Sequence, residues 1–508
     1  MLLFPRRTVA ALGTVALLAA AVGPGVVRAA VFRVSVGTPQ GRPVAADYLG
    51  LALEYRSLPG LVGTGTGAVN PVLAQLIRNL APTGRPVLRI GGQSTDRTWW
   101  PVIGMRQPLG VTYSLTPRWT ASVRALAQTI NARLILGIGL EANRPQLAAT
   151  EARNLVSGIG RQYIAALELG NEPELYSEVP WYRRLHGAPV PWYSHVGAPV
   201  YARPEGYQPK AFYREFSRVL GLLPGLPIAG PSVGQVPWLS GVRRLLAPGS
   251  PLKLVTWHAY GLNQCVKDRS SPAYPSVPNL LSLHASRELT TGISPVVADA
   301  HHVGASFRID EMNSVTCNGR RGVSDTFASA LWALDSLFAI AADGVDGVNI
   351  HTYPDAANGL FDFAQAGGQW QATVHPLYYG LLMFAQAAPA GARLLNVSSS
   401  DQDQVRAWAT LAPDHRVRVV LINDSLRVAA PVQVRAPAAA GPASVSWLRA
   451  RSAYATSGVT LGRASFGAHT TTGVLAPGQS TAVRPHAGAY SLTLPAASAA
   501  LVTLAPGR

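Results

Sequence analysis

The chain has 508 residues, 48% of them hydrophobic and 14% charged, and a formal net charge of +17. That length exceeds one ordinary domain, and the apolar content supplies a large core and excludes wholesale disorder. The positive charge would suit an acidic substrate, an anionic surface or nucleic acid, but the arginines are scattered, with no long basic run and no basic helical face, so no nucleic-acid interface is expected.

Arg6 and Arg7 precede a small-residue apolar stretch, Val9 to Val22, and Val27-Arg28-Ala29 offers a cleavage site. Residues 1–29 are therefore expected to be an export signal, by the general or the twin-arginine route, with a membrane anchor as the alternative. The apolar run is short for a span and no later segment is long enough, so no stable membrane insertion is expected. In an exported protein the two cysteines, Cys265 and Cys317, read as one disulfide. Without paired histidines they make a poor zinc site.

Strand-like and helix-like segments alternate along the chain. The strands are Asp47 to Glu54, Pro86 to Gly91, Arg133 to Ile138, Tyr163 to Leu169, Pro227 to Gly230, Lys253 to Tyr260, Ser306 to Glu311 and Val345 to His351. Helical periodicity predicts helices over 71–80, 118–131, 151–157, 210–222, 238–246, 279–289, 325–342 and 376–386, with 325–342 the clearest amphipathic one. Leu175 to Pro209, rich in Tyr, Trp, Pro and Gly, has no period and reads as a surface loop. Eight such units most economically close into a (β/α)8 TIM barrel over residues 46–387. An open doubly wound sheet would need a glycine-rich phosphate turn after its first strand, and Glu54-Tyr55-Arg56 is nothing like one. Over 388–508 helical periods vanish and short alternating strands recur between Gly, Pro and Ser, the pattern of a C-terminal all-β sandwich, which strand 31–36 is available to complete.

A barrel gathers the carboxyl ends of its strands around one site. Here those ends carry Glu54, Arg89, Asn171 with Glu172, His258 with Tyr260, Glu311, and His351. Two carboxylates, Glu172 after the fourth strand and Glu311 on the seventh, are the pair that glycoside hydrolysis needs: one acid to protonate the leaving oxygen, one carboxylate to attack or to activate water.

Gly170-Asn171-Glu172-Pro173 at the end of a fourth strand resembles the acid/base signature of the retaining glycoside hydrolases of clan A. Together with Leu88 to Gly92, Thr256 to Tyr260 and the Glu311 segment, the chain resembles family 79, the heparanase and β-glucuronidase group, over nearly all its mature length. The resemblance implies that Glu172 is the general acid/base and Glu311 the nucleophile. It also implies that Asn171 bonds the sugar 2-hydroxyl, Tyr260 donates to Glu311, Arg89 supports the nucleophile's charge, and Glu54 binds glycone hydroxyls. Members of the group carry a Tyr-Gly-Gly-like turn that holds the uronate carboxylate. Here that stretch is Thr316-Cys317-Asn318-Gly319, with backbone amides around Asn318 and Gly319 as the expected substitute and Arg320 and Arg321 following.

Blander roles are weighed beside these. Glu172 is otherwise a loop carboxylate, and Glu311 an ion-pair partner of Arg308 or Arg320. Glu168, inside the fourth strand, reads as one half of a buried ion pair. His258 and His351 read as hydrogen-bond partners, since no His-X-X-X-His spacing suggests a metal, and no cofactor is expected. Trp99, Trp100, Trp181 and Trp192 suit sugar stacking or loop packing equally. The expected function is an exported, retaining, exo-acting β-glucuronidase-type glycosidase working on a uronic-acid-bearing glycan. The alternatives are a clan relative for a neutral glycoside and a non-catalytic carbohydrate-binding protein.

Overall fold

The structure, a computed structural model, describes residues 31–63, 69–436 and 441–505, and the expected export signal lies outside them. Eight parallel strands form a closed barrel: β1 (Leu49–Glu54), β2 (Val87–Gly91), β3 (Arg133–Ile138), β4 (Ile164–Leu169), β5 (Ile228–Val233), β6 (Leu252–Leu262), β7 (Ser306–Val315) and β8 (Gly347–His351), with β8 pairing back onto β1. Nearly every residue of β1 to β5 is buried, as expected when helices cover the outside and side chains fill the inside. The floor is polar. Arg308 reaches Asn349 and the Asp47 and Tyr48 carbonyls at the amino end of the barrel, where a side chain at Gly347 would overlap its guanidinium. Arg308 is therefore a floor residue and not the partner of Glu311.

Several helices start on proline, including Pro71–Leu80, Pro117–Ile130, Pro145–Ile159, Pro209–Leu220 and Pro376–Ala387. Proline suits that position because its missing N–H would be unpaired in the first turn anyway. The expected helix over 279–289 is broken into Val277–Leu280 and Leu283–Arg287, and a helix at Ser294–His302 follows that periodicity did not reveal. The expected loop Leu175–Pro209 carries a three-stranded sheet, Tyr182–Leu185, Ala188–Val190 and Ala198–Val200. Its strands are too short for alternation to register.

Phe327–Ala342 is not amphipathic: every residue from Phe327 to Ile340 is buried. The reason is a second covering layer. The amides of Phe327 and Ala328 donate to the carbonyls of Ala455 and Ala453, Trp408 stacks on Phe338 at 5.8 Å, and its indole N–H donates to Asp335. These partners belong to the C-terminal region, whose ten-stranded sheet wraps around its own apolar core, including Val34, Val419, Leu421, Val434, Val445 and Val502. Strand Phe32–Pro39 sits inside that sheet, antiparallel to Arg393–Ser399 and parallel to Ala430–Arg435. Among the described residues no helix is long and apolar enough to cross a membrane.

Candidate active site

The site is organised around Arg89, from the middle of β2, whose side chain is fully buried. Its Nη1 donates to Glu311 Oε2 at 2.6 Å, its Nε donates to Glu168 Oε2 at 2.6 Å and lies 3.0 Å from Asp310 Oδ2. Its Nη2 donates to Asn171 Oδ1 at 2.8 Å and Ser232 Oγ at 2.9 Å. Consecutive strand residues normally face opposite sides, yet Asp310 and Glu311 both reach this guanidinium. The register explains it. Trp257 pairs with Ile309 and the next residue, His258, pairs with Glu311, so Asp310 is an extra residue in β7, a bulge that turns both carboxylates inward.

Three oxygens of Asp310 and Glu168 receive no aligned donor from any other described residue, and the two carboxyls lie side by side. Burial, with Glu168 beside it, pushes Asp310 well above the usual carboxylate range. Burial also opposes ionisation of Glu168, but Arg89 and a hydrogen bond from Asp310 outweigh it and hold Glu168 below its ordinary value. The pair thus carries one proton and one negative charge. The expectation of a buried ion pair at Glu168 is met, with Arg89 as its partner.

Glu311 is buried, which alone would raise its pKa, but His351, Arg89 and the Tyr260 hydroxyl hold it well below the usual range. Tyr260 donates to Glu311 Oε1 at 2.6 Å. With that proton committed, the Tyr260 oxygen accepts from His351 Nδ1 at 3.1 Å. His351 Nε2 lies 3.3 Å from Glu54 Oε1 as an ion pair, not aligned as a hydrogen bond. Burial would lower the His351 pKa, but Glu311 and Glu54 raise it above the ordinary histidine value. Glu54 also accepts from the Gln93 and Ser94 amides at 3.2 and 2.8 Å, in the turn after β2, where Gly92 leaves room for its carboxylate.

Glu172 stands just beyond β4 with φ 47°, ψ 57°, a left-handed conformation uncommon for a residue with a side chain. Its amide donates to the Ser232 carbonyl at 2.8 Å, which fixes the turn. Its Oε1 lies 2.9 Å from His258 Nδ1. The other imidazole nitrogen, Nε2, is 3.2 Å from Arg89 Nη2, which can only donate, so Nε2 accepts and Nδ1–H donates to Glu172. The same logic orients Asn171: Oδ1 accepts from Arg89, leaving Nδ2 as a donor. An oxygen of Glu172 and one of Glu311 lie within 4.8 Å of each other. The nearest oxygens thus stand close enough for double displacement, in which the carboxyls are roughly 5–5.5 Å apart.

Glu172, His258 and Glu311 are also close enough to be considered as a metal site. The donor set does not fit one. His258 Nδ1 carries the proton, and Arg89 already supplies a cation to Glu311 at 2.6 Å.

The segment after β7 departs from expectation. Cys317, Asn318 and Gly319 are left-handed in succession, with φ of 55°, 66° and 81°. The Gly319 amide is committed to the Thr316 carbonyl at 3.2 Å, and Arg320 is held over the Tyr274 ring at 5.2 Å. The expected disulfide is not formed: Cys265 and Cys317 are free and exposed, standing as hydrogen-bonding neighbours. Burial pushes the Cys317 thiol up, Thr316 opposes this, and Cys265 and Glu172 add to it. Trp99 is buried packing, its N–H donating to Ser114 at 2.9 Å, whereas Trp192 is partly exposed with Arg97 5.8 Å from its ring.

Sequence reasoning missed Asp310, Ser232 and Asp96. Asp96 follows β2 and accepts from the amides of Leu140, Glu141 and Asn171 and from the Tyr176 hydroxyl, thereby bracing the Asn171 turn. Its position just after the expected Arg89 strand was the available signal.

No family model matches the sequence, and no curated protein matches it. Among solved structures the chain is similar to a 4-O-α-L-rhamnosyl-β-D-glucuronidase from Fusarium oxysporum 12S, solved with Rha-GlcA, at 19% identity and a TM-score of 0.70, covering 93% of this chain and 100% of that one. It is also similar to the GH51 arabinofuranosidase of Xanthomonas axonopodis pv. citri, at 14% identity and a TM-score of 0.61, covering 94% and 100%. A GH30 endoxylanase from Clostridium papyrosolvens C71 matches at 12% identity and a TM-score of 0.52, again over 94% and 100%. At these identities the likeness establishes the fold, a barrel joined to an all-β region.

Proposed function

We propose that this chain is an exported retaining glycoside hydrolase of the clan A, family 79 type, acting from the non-reducing end on β-linked glucuronate. The observation that carries the reading is the Glu172–Glu311 pair, one just beyond β4 and one within β7, with oxygens within 4.8 Å. Glu311, kept ionised by Arg89, Tyr260 and His351, attacks the anomeric carbon. The bond to the leaving oxygen breaks as Glu172 delivers its proton, giving a glycosyl ester on Glu311. Glu172 then takes a proton from water, the water oxygen attacks the same carbon, and Glu311 is released. Asn171 Nδ2 is positioned to bond the 2-hydroxyl throughout, and Glu54 is available to glycone hydroxyls.

Support for the uronate comes from the glucuronidase among the similar structures and from the net charge of +17. A neutral glycone is the second reading. It is favoured by the commitment of the Gly319 amide and Arg320 to their own neighbours, which leaves fewer donors for a carboxylate. The test is purified protein against aryl β-glucuronide, β-galactoside, β-xyloside and α-arabinofuranoside. Glucuronide turnover that is lost in Glu311→Gln and in Glu172→Gln supports the proposal. Turnover of a neutral glycoside alone replaces the substrate. Full activity in Glu311→Gln would refute the mechanism.

A further inference from the structure

A cavity of about 40 Å³ opens beside the acid and is not used by the chemistry described above. Its wall includes Glu172, Arg97, Glu141 and Leu175, with Asn171 the one group assigned above to the ring under attack, and none of Glu311, Tyr260 or Glu54. Glu172 protonates the leaving oxygen, so a space reached past Glu172 lies on the leaving-group side. That space holds roughly three water-sized groups, room for a polar substituent.

Two buried side chains line this space, and one of them, Arg97, keeps a buried donor without a partner among the described residues. Glu141 is 4% exposed, and among the described residues its carboxyl accepts no hydrogen bond; its one partner is Arg97 Nη2, 3.4 Å away as an ion pair. Arg97 is also 4% exposed, and its Nε has no hydrogen-bond partner among the described residues. Buried polar groups are nearly always paired, and leaving one unpaired costs roughly 1–3 kcal/mol. The remaining donors of Arg97 fasten the carbonyls of Trp181 and Pro180, so the same arginine ties down the insertion that roofs the cavity.

We propose that Glu141 and Arg97 form a leaving-group subsite that takes a neutral hydroxyl or hydroxymethyl substituent of a sugar. The natural substrate is then a glycan in which the bond broken joins two sugars, not a small aglycone. A hydroxyl answers both groups at once, accepting from Arg97 and exchanging a hydrogen bond with Glu141. Burial pushes the Glu141 carboxyl up to about 8, with Arg97 opposing, so a hydroxyl meets an acceptor there and, in the protonated fraction, a donor as well. An anionic substituent is disfavoured, because Asp96 and Glu172 share the wall. This inference rests on the glycosidase reading and deepens it.

The experiment compares kcat/KM for an aryl β-glucuronide, a glucuronosyl disaccharide with a hydroxymethyl on the leaving hexose, and the same disaccharide lacking that hydroxyl. Glu141→Ala is expected to lower the disaccharide-to-aryl ratio by about tenfold to a hundredfold, as loss of a buried polar contact predicts. The isosteric Glu141→Gln, which keeps a donor and an acceptor, is expected to recover most of it. The deoxy disaccharide is expected to be as poor for the native protein as the full one is for Glu141→Ala. Equal losses on aryl and disaccharide substrates, or no loss on either, overturn the subsite. A parallel measurement of disaccharide affinity in Glu311→Gln, with and without Glu141→Ala, reads the subsite without turnover. An inactive native protein that still binds the disaccharide through Glu141 refutes the glycosidase reading and not the subsite.

Discussion

Asp310 and Glu311 are neighbours in the chain, and both place a carboxyl oxygen on Arg89, at 3.0 and 2.6 Å. The bulge in β7 that allows this puts the shared-proton pair of Asp310 and Glu168 directly behind the proposed nucleophile. Because that pair carries one charge, Asp310→Asn and Glu168→Gln each preserve a single anion or its balance with Arg89, whereas the double variant leaves Arg89 with Glu311 alone. A double-mutant cycle on thermal stability is expected to show a coupling of roughly 0.5–3 kcal/mol, the double variant being worse than the sum of the singles. Strict additivity would mean that the two carboxyls are independent and fully ionised.

Arg89→Lys is expected to be severe. A lysine ammonium is a compact point charge and does not reproduce a planar fork that serves Glu168, Glu311, Asn171 and Ser232 together. Breaking a buried ion network costs about 3–5 kcal/mol, measurable by denaturant unfolding. Loss of a preorganised donor to the reacting group costs about 10²–10³ in kcat on the best aryl glycoside.

The pH dependence follows from two opposite shifts. Glu311 has a folded pKa below its ordinary 4.5, so its contribution to stability is present above that value and is lost only as the solution becomes more acidic. His351 has a folded pKa above its ordinary 6.5, so its contribution is full below 6.5 and is lost as pH rises through the folded value. Thermal stability is therefore expected to be greatest between these two ordinary values. In His351→Asn the decline on the alkaline side is expected to flatten, as a melting series across pH would reveal.

Oxidation is expected to join Cys265 and Cys317, which are free here and already neighbours. Thiol titration of the unfolded protein would fall from two groups per chain to none after mild oxidation. The cross-link would add on the order of 4 kcal/mol by restricting the unfolded chain, and Cys317→Ser would remove that gain. Persistent free thiols after oxidation would argue against the pairing.

The barrel was legible because each strand ended at a change in residue character: apolar runs stopped at Glu54, at Gly170-Asn171-Glu172, at Tyr260 and at His351. The paired carboxylates were legible for the same reason, since a charged residue that closes an apolar barrel strand is carried to the mouth where the strand ends meet. Asp310 was not, because alternation assigns it to the outer face, and only the register with β6 exposes the bulge. Glu141 and Asp96 were hidden in turns, where periodicity carries no information about which side chain turns inward. Phe327–Ala342 misled for a different reason: its outer face is covered in part by residues more than a hundred positions later, beyond the reach of any local pattern.

That buried helix also bears on how such a protein is inherited. A barrel whose outer wall needs Trp408, Ala453 and Ala455 for its cover is not a portable cassette. A chain shortened to its last barrel helix would turn the apolar flank around Phe338 toward solvent, and the polypeptide would aggregate before any chemistry was tested. Shuffling, grafting or minimising this protein therefore means moving both halves together, and lineages that exchange barrels by recombination would be expected to carry the β region along and not to break between the two.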